Sequence, residues 1–560
     1  MKKWFFQRHR RAWLVALATV VVGFSTLGFV TLNDSELLFK IYRGIDTFTK
    51  VYKEVAVNYV DEVDPEDFMR AGIDGMLKTL DPYTVYIGDK EGDEIDLVTT
   101  GKYGGIGVTI GLRDGAVTVI DLLEGFSAAK QGVEVGDQIL AIDDKPVHGM
   151  PLQDIRLLVR GAPGTPIKMK IAREGEKNSL EFVMMREEIS VRNVTYTGYV
   201  TDGIGYIRLE RFSRTADEDL RNALKELQAT GNLRGVVLDL RDNPGGLLES
   251  AVNIVSKFVP DSSLIVSTRG RKSDSERKYF SSEKPVAGNI PLTVLVSRYS
   301  ASASEIVAGA VQDLDAGVIV GTRTFGKGLV QTITRISEDA SLKMTTAKYY
   351  TPSGRCIQEM DYEHRDQDGD ATAIPDSLKH SFKTKHNRIV WDGGGIAPDT
   401  LVTDSVRIPY LEALSRKAMF FQYANHYAAE KKTLPDSFKI TDEIIKDFEH
   451  FLKEKDFEYQ EEGSEKIKEL RAVASTARYD KSFFDGVDKL EAMAKKEKEL
   501  QIHRFHKEVG EVLYSEILGR MRGDKARMES VFPRDKQLQV AINILKDKKT
   551  YTKLLNGKGK

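Results

Sequence analysis

The sequence predicts a multidomain α/β protein with a helical lead-in, a β-rich module, an α/β core and a helical C-terminal region. Three observations predict it. Between 193 and 402, short apolar β-forming runs (204–209, 235–240, 292–296) alternate with helical patterns (217–227, 247–258, 305–314), as in a sheet with helices packed on its faces. Between 101 and 187, several short strands are punctuated by glycine turns. Beyond about 403, Lys and Glu dominate, with apolar residues at helical spacing.

The 560 residues are enough for three or four domains. With 82 basic against 84 acidic side chains, nothing argues for nucleic acid as a partner. Cys356 is the single cysteine, which excludes an internal disulfide and any multi-cysteine metal site. Lys2, Lys3, Arg8, Arg10 and Arg11 precede 20 uncharged residues, 13–32. As a helix these span about 30 Å, enough to cross a bilayer. The basic flank favours a cytoplasmic amino terminus. The A-x-A at Ala16-Leu17-Ala18 lies inside the apolar run and none follows it before Asn33, so there is no clear cleavage site, which favours an uncleaved anchor over a signal peptide. Either way the remainder is expected outside the cytoplasm, in the cell envelope, with the membrane as a partner of the N-terminal segment.

Residues 36–60 carry Leu38, Ile41, Ile45 and Phe48 at near-helical spacing, and 64–80 starts a second helix with acidic residues and Pro65. These helices are expected to pack on the core or on a second copy, as in a homodimer. The β module opens on Gly104-Gly105-Ile106-Gly107. Such a loop can turn several N–H groups onto a terminal carboxylate while a peptide adds as a strand beside it, and it can equally be a plain turn. In the core, 235–240 runs into the turn Arg241-Asp242-Asn243-Pro244-Gly245-Gly246.

Ser302 lies where a helix begins, a place of free N–H groups and a dipole that favours developing negative charge. With Glu305 it also fits a capping box, S-x-x-E. Downstream, GTRTFGKG (321–328) falls one residue short of a phosphate-binding loop. Gly328 stands where a hydroxyl is needed, and 329–336 reads as a strand rather than a helix. Lys327 sits between glycines and near Phe325, Leu329 and Val330. Burial there pulls an amine down from about 10.4 toward roughly 7–8, so that it can take a serine proton. Gln331, four positions on, shares the lysine's face if the strand begins at the lysine, and its amide oxygen can then hold the amine. Asp366, Asp368 and Asp370 hint at calcium, but Gly369 and Ser377 are misplaced for an EF-hand, so 366–370 reads as a solvated loop.

SASASEIVAGAVQD followed by GTRTFGKGLVQ resembles the carboxyl-terminal processing (tail-specific) proteases, which use a serine–lysine dyad. The resemblance selects Ser302 over Ser300 and Ser304 as nucleophile, with Lys327 as base at the expected separation and Gln331 orienting it. It implies an oxyanion hole from the N–H of Gly245, less firmly Gly246, and of Ala303, in a ClpP/crotonase-like core. GDQILAIDDKPV and RGAPGT resemble a PDZ domain, which makes the 104–107 loop a carboxylate site for unstructured C-terminal tails. The lead-in AGIDGMLKTLDPYTVYI belongs to the same resemblance. The domains expected are an anchor or signal segment at 1–35, a helical region at 36–100, a PDZ domain at 101–187, a protease core at 188–402 and a helical extension at 403–560. The implied activity is that of a serine endopeptidase needing no metal or cofactor. The rival reading is a non-catalytic PDZ scaffold with an inactive hydrolase-like core.

Overall fold

The computed structural model describes residues 36–88, 100–113, 115–272, 274–338, 340–366, 369–403, 408–459 and 462–557. The apolar segment 13–32 and Asp368 of the acidic loop lie outside these. Among the described residues no helix is long and apolar enough to cross a membrane. The chain divides into two compact units, Met1–Tyr86 and Ile87–Lys560.

The first unit is a helical hairpin. Residues 36–58 form α1 and Pro65–Lys78 form α2. Asp64 caps α2, accepting from the Glu66 and Asp67 N–H groups, and Pro65 fits the first turn because its missing donor would go unpaired there. The Tyr52 hydroxyl donates to the Pro65 carbonyl at 2.7 Å, and its ring stacks on Phe68.

The second unit opens with the β module. Its strands are β1 (Lys102–Gly105), β2 (Val108–Arg113), β3 (Ala116–Leu122), β4 (Gln138–Ile142), β5 (Pro166–Ala172), β6 (Leu180–Met185) and β7 (Glu187–Ser190). Two helices, α3 (Ser127–Gln131) and α4 (Leu152–Val159), close over a core of Val119, Ile142, Ile155 and Met169. The order β2-β3-β4-β5-β6 leaves β2 at an edge. β1 pairs instead with β7, Tyr103 opposite Ile189. β1 thus finds its ladder partner in residues 187–190, at the boundary expected at 187.

The core sheet has the order β8 (Val194–Thr201), β9 (Ile204–Leu209), β10 (Gly235–Asp239), β13 (Leu292–Val296), β14 (Val318–Gly321) and β17 (Thr400–Leu401). All pairs after β8–β9 are parallel. A second sheet is built from β11 (Leu264–Gly270), β12 (Arg277–Phe280), β15 (Leu329–Arg335) and β16 (Ser341–Tyr350). The central strands are unbroken apolar runs because both faces of the parallel sheet are covered. Val236, Leu238, Val294 and Ile319 face α5 (Ala216–Thr230), α6 (Leu248–Ser256) and α7 (Ala303–Asp313). Val237, Leu295, Val318 and Val320 face the other way.

Part of the C-terminal helical region covers that second face. Of the C-terminal helices, α8 (Pro409–Arg416), α9 (Met419–Glu430), α10 (Asp442–Glu454) and α13 (His506–Arg522) share a core of their own, while α11 (Glu462–Thr476) and α12 (Lys481–Glu499) form a hairpin. Between α8 and α9 the chain turns at Ala418, whose φ of 55° cannot continue a right-handed helix. Further on, α14 (Lys536–Lys546) lays Leu538, Ala541, Ile542 and Leu545 on the core sheet. The segment after 528 thus packs on the core sheet. Arg520 of α13 also reaches the β module, donating to Glu134 at 2.8 Å.

Candidate active site

Three loops leave the carboxyl ends of the adjacent parallel strands β10, β13 and β14, where open α/β sheets place their ligands. They are the 240–246 turn, the serine-rich 297–302 loop and the 322–328 loop.

The first two are tied together by side chains. Ser300 Oγ donates to the Leu240 carbonyl at 2.7 Å, Ser304 Oγ to the Asn243 carbonyl at 2.9 Å, and Ser297 Oγ to Asp242 Oδ1 at 3.0 Å. The Ala301 N–H adds a fourth bond, to the Asn243 carbonyl at 3.0 Å. Three of the four serines between 297 and 304 therefore anchor the loop to the turn, and Ser302 takes no part in that tie. Ser302 stands half-buried at the head of α7 with φ 55° and ψ −114°, a backbone conformation that costs a side-chain-bearing residue about 1–3 kcal/mol.

Glu305, read from sequence only as a capping partner, joins the third loop to this assembly. Its carboxylate is completely buried. Oε2 accepts from the Ser302 N–H and from the Lys327 N–H, each at 2.9 Å. Oε1 accepts from Thr324 Oγ1 at 2.6 Å and from the Gly326 N–H at 2.7 Å. Burial pushes this carboxyl up to about 7, against the pull of the four hydrogen bonds, which favour the ionised form. The loop is further pinned where the Gly328 N–H donates to Gln358 Oε1 at 2.7 Å.

Lys327 is half-buried. Its expected apolar flank is incomplete, since Leu329 is buried but Phe325 is 45% exposed. β15 starts two residues after the lysine, and its pairing with β16 is irregular between Val330 and Gln331. The alternation that was to place Gln331 on the lysine's face therefore does not carry through. Gln331 Nε2 donates to Thr345 Oγ1 at 3.2 Å, which leaves its Oε1 as an acceptor.

Gly245 has φ 100°, and a Cβ there would lie 2.6 Å from the Ala301 oxygen and 2.9 Å from Ser302 Cβ. Only glycine lets the turn close on the serine this tightly. The Gly245 N–H, however, donates to Asn243 Oδ1 at 2.9 Å. Those of Gly246 and Ala303 have no protein acceptor among the described residues. In this structure the available donors are thus Gly246 and Ala303, with Gly245 shaping the turn. Gly245 and Gly246 also line a pocket of about 380 Å³ walled by Arg208, Arg211 and Arg241.

In the β module, α4 packs beside β2, whose outer edge is unpaired. Of the expected 104–107 loop, Gly104 and Gly105 lie in β1, paired with Glu188 and Glu187, and only Ile106 and Gly107 form the connection into β2. A Cβ on Gly104 would lie 1.9 Å from the Gly161 oxygen. The Ile106 and Gly107 carbonyls accept from Ala128 and Leu123, which turns the peptide planes of the loop inward.

Comparison with known proteins sorts the chain in the same order. Residues 203–364 match peptidase family S41, and 94–172 match the PDZ domain. Residues 32–91 match the activating protease CtpB N-terminal domain, and 410–545 the probable PDZ-protease C-terminal helical domain. The chain is 38% identical over 332 residues to a carboxy-terminal-processing protease of Bartonella bacilliformis, covering 59% of this chain and 75% of that relative. The chain belongs to the carboxy-terminal-processing proteases. It is 33% identical over 324 residues to the carboxy-terminal processing protease CtpB of Bacillus subtilis, covering 57% and 67% of the two chains. Among solved structures, the photosystem II D1 C-terminal processing protease is similar at 26% identity and a TM-score of 0.35, covering 66% of this chain and 95% of that one. As a processing protease with a PDZ domain, the chain is a serine peptidase acting on protein or peptide substrates.

Two groups in this protease escaped the sequence reading. Glu305 was visible as S-x-x-E, but its bonds to 324–327 need the third loop. Asn243 sits in the RDNPGG turn, and nothing in one dimension pairs its carbonyl with Ala301 and Ser304.

Proposed function

We propose that the chain is a serine endopeptidase that cleaves envelope proteins through a dyad of Ser302 and Lys327. The observation that carries this reading is the shared acceptor Glu305 Oε2, which holds the backbones of both residues two hydrogen bonds apart. Lys327, as a neutral amine, takes the Ser302 proton while Oγ adds to the scissile carbonyl carbon. The oxyanion is met by the N–H groups of Ala303 and Gly246. The carbon–nitrogen bond then breaks, the lysine returns the proton to the leaving amine, and water hydrolyses the acyl-enzyme. The Gln331 amide oxygen orients the lysine.

The PDZ loop Gly104–Gly107 receives the carboxylate of an unstructured C-terminal tail, and the tail adds as a strand on β2. The uncharged segment 13–32 behind a basic amino terminus supports tethering in the inner membrane, with the catalytic part outside the cytoplasm. The test is cleavage of an unstructured substrate by wild type beside Ser302→Ala and Lys327→Ala. Loss in both variants is expected, and equal cleavage by all three sinks the dyad.

A further inference from the structure

Arg241 is the first residue of the turn that carries Gly245 and Gly246. Its guanidinium lies between two carboxylates from distant parts of the chain. On one side is Asp239, completely buried at the end of β10, which accepts from Nη2 at 2.6 Å and from Nε at 3.0 Å. On the other is Asp535, immediately before α14, which accepts from Nη2 at 2.7 Å and from Nη1 at 3.0 Å. Gln537 Oε1 takes a further bond from Nη1 at 3.2 Å. A planar guanidinium bonded along two edges has a fixed orientation, which one carboxylate alone does not give.

That orientation passes along the turn. Asp242 follows Arg241, has φ 61°, and is bonded to Ser297 through its N–H and its carboxylate. Next comes Asn243, whose carbonyl holds both flanks of Ser302 and whose side chain accepts from Gly245. Only Asp242 thus separates Arg241 from Asn243, whose groups set the distance between the glycine pair and the nucleophile.

We propose that Asp535, supplied by the C-terminal helical segment, is a positioning residue for peptide-bond cleavage: by clamping Arg241 against Asp239 it fixes the 242–246 turn relative to Ser302. This rests on the reading of Ser302 as nucleophile. It gives the last helices of the chain a part in the chemistry beyond covering the sheet.

A purely structural ion pair must be separated from a positioning one. Asp535 also caps α14 by accepting from the Leu538 N–H, so alanine would remove two functions together. Asp535→Ser and Asp535→Asn keep a helix cap but lose the paired carboxylate. Both are measured in the full chain for kcat, KM and thermal unfolding, and for the rate at which a fluorophosphonate modifies Ser302. Activity is expressed per titrated serine, so that misfolded protein does not count. The expected result is a fall of roughly 10- to 100-fold in kcat and in modification rate, with KM little changed, as for a small misplacement of reacting groups. Asp535→Glu, which restores the charge, should recover part of the loss. Unchanged kcat and modification rate per site in both variants, even with lowered thermal stability, overturns the proposal. Ser302→Ala run alongside distinguishes the two readings. If it cleaves like wild type, the assignment of the nucleophile fails. If it is inactive while Asp535→Ser and Asp535→Asn match wild type, only the role of Asp535 fails.

Discussion

Ser302 and Lys327 donate their backbone N–H groups to the same carboxylate oxygen, Glu305 Oε2, at 2.9 Å each. The two loops that carry them come from different strands, so this buried carboxylate is a joint between them. In Glu305→Gln one oxygen becomes an NH2 group facing either two N–H donors or the Thr324 and Gly326 pair. Leaving buried donors unpaired costs about 1–3 kcal/mol each, and a small shift of the reacting groups costs on the order of 100-fold in rate. Glu305→Gln should therefore lose stability in urea and about two orders of magnitude in kcat. Wild-type kcat in the folded variant would remove Glu305 from the site.

The same group makes stability depend on pH. Its carboxyl lies near 7 in the folded chain, above its ordinary 4.5. A raised carboxyl stabilises the fold fully below the ordinary value, and that contribution is lost as pH rises through the folded value. Wild type should thus lose roughly 3 kcal/mol relative to Glu305→Gln between about pH 4.5 and 7.5. Cleavage should rise over the same window, because the ionised carboxylate accepts all four donors. Urea melts at pH 5 and pH 8 check this, and a pH-independent difference between the two proteins contradicts it.

Gly245→Ala places a Cβ 2.6 Å from the Ala301 oxygen at a φ of 100°. The variant should be destabilised by about 1–3 kcal/mol. The turn must move off Ser302, so cleavage should fall by about 100-fold or more. Binding of a tail peptide, measured by fluorescence anisotropy, should stay at the wild-type value. Retained cleavage would show that the turn tolerates displacement.

Leu538 of α14 is completely buried against the core sheet. Leu538→Ala should cost about 2–5 kcal/mol in equilibrium unfolding. A cost near zero would show that the last helices do not help hold the core sheet.

In the PDZ domain, Gly104→Ala brings a Cβ within 1.9 Å of the Gly161 oxygen. Tail-peptide affinity, measured in a Ser302→Ala background to prevent cleavage, should drop at least tenfold. Unchanged affinity would place the carboxylate site elsewhere.

The strands 204–209 and 292–296 match the structure residue for residue, because each carries its whole signal in its own run of apolar β-formers. The turn between α8 and α9 and the ladder from β1 to β7 are not legible in the sequence in this way. One depended on a left-handed residue, Ala418, and the other on ladder partners 82 to 88 positions along the chain from β1 (Gly105 with Glu187, Lys102 with Ser190).

What the sequence determined by itself is the order of the domains, the two-faced burial of the central strands and the two loops that bear Ser302 and Lys327. Local propensity and a specific motif are enough for those. Tertiary structure decided which groups meet. Glu305 became a four-donor joint, the Gly245 N–H turned to Asn243, and a helix after residue 535 became a wall of the core with Asp535 on Arg241. These follow from hydrogen bonds and ion pairs between segments tens to hundreds of residues apart, whose partners the covalent neighbours of a residue do not specify.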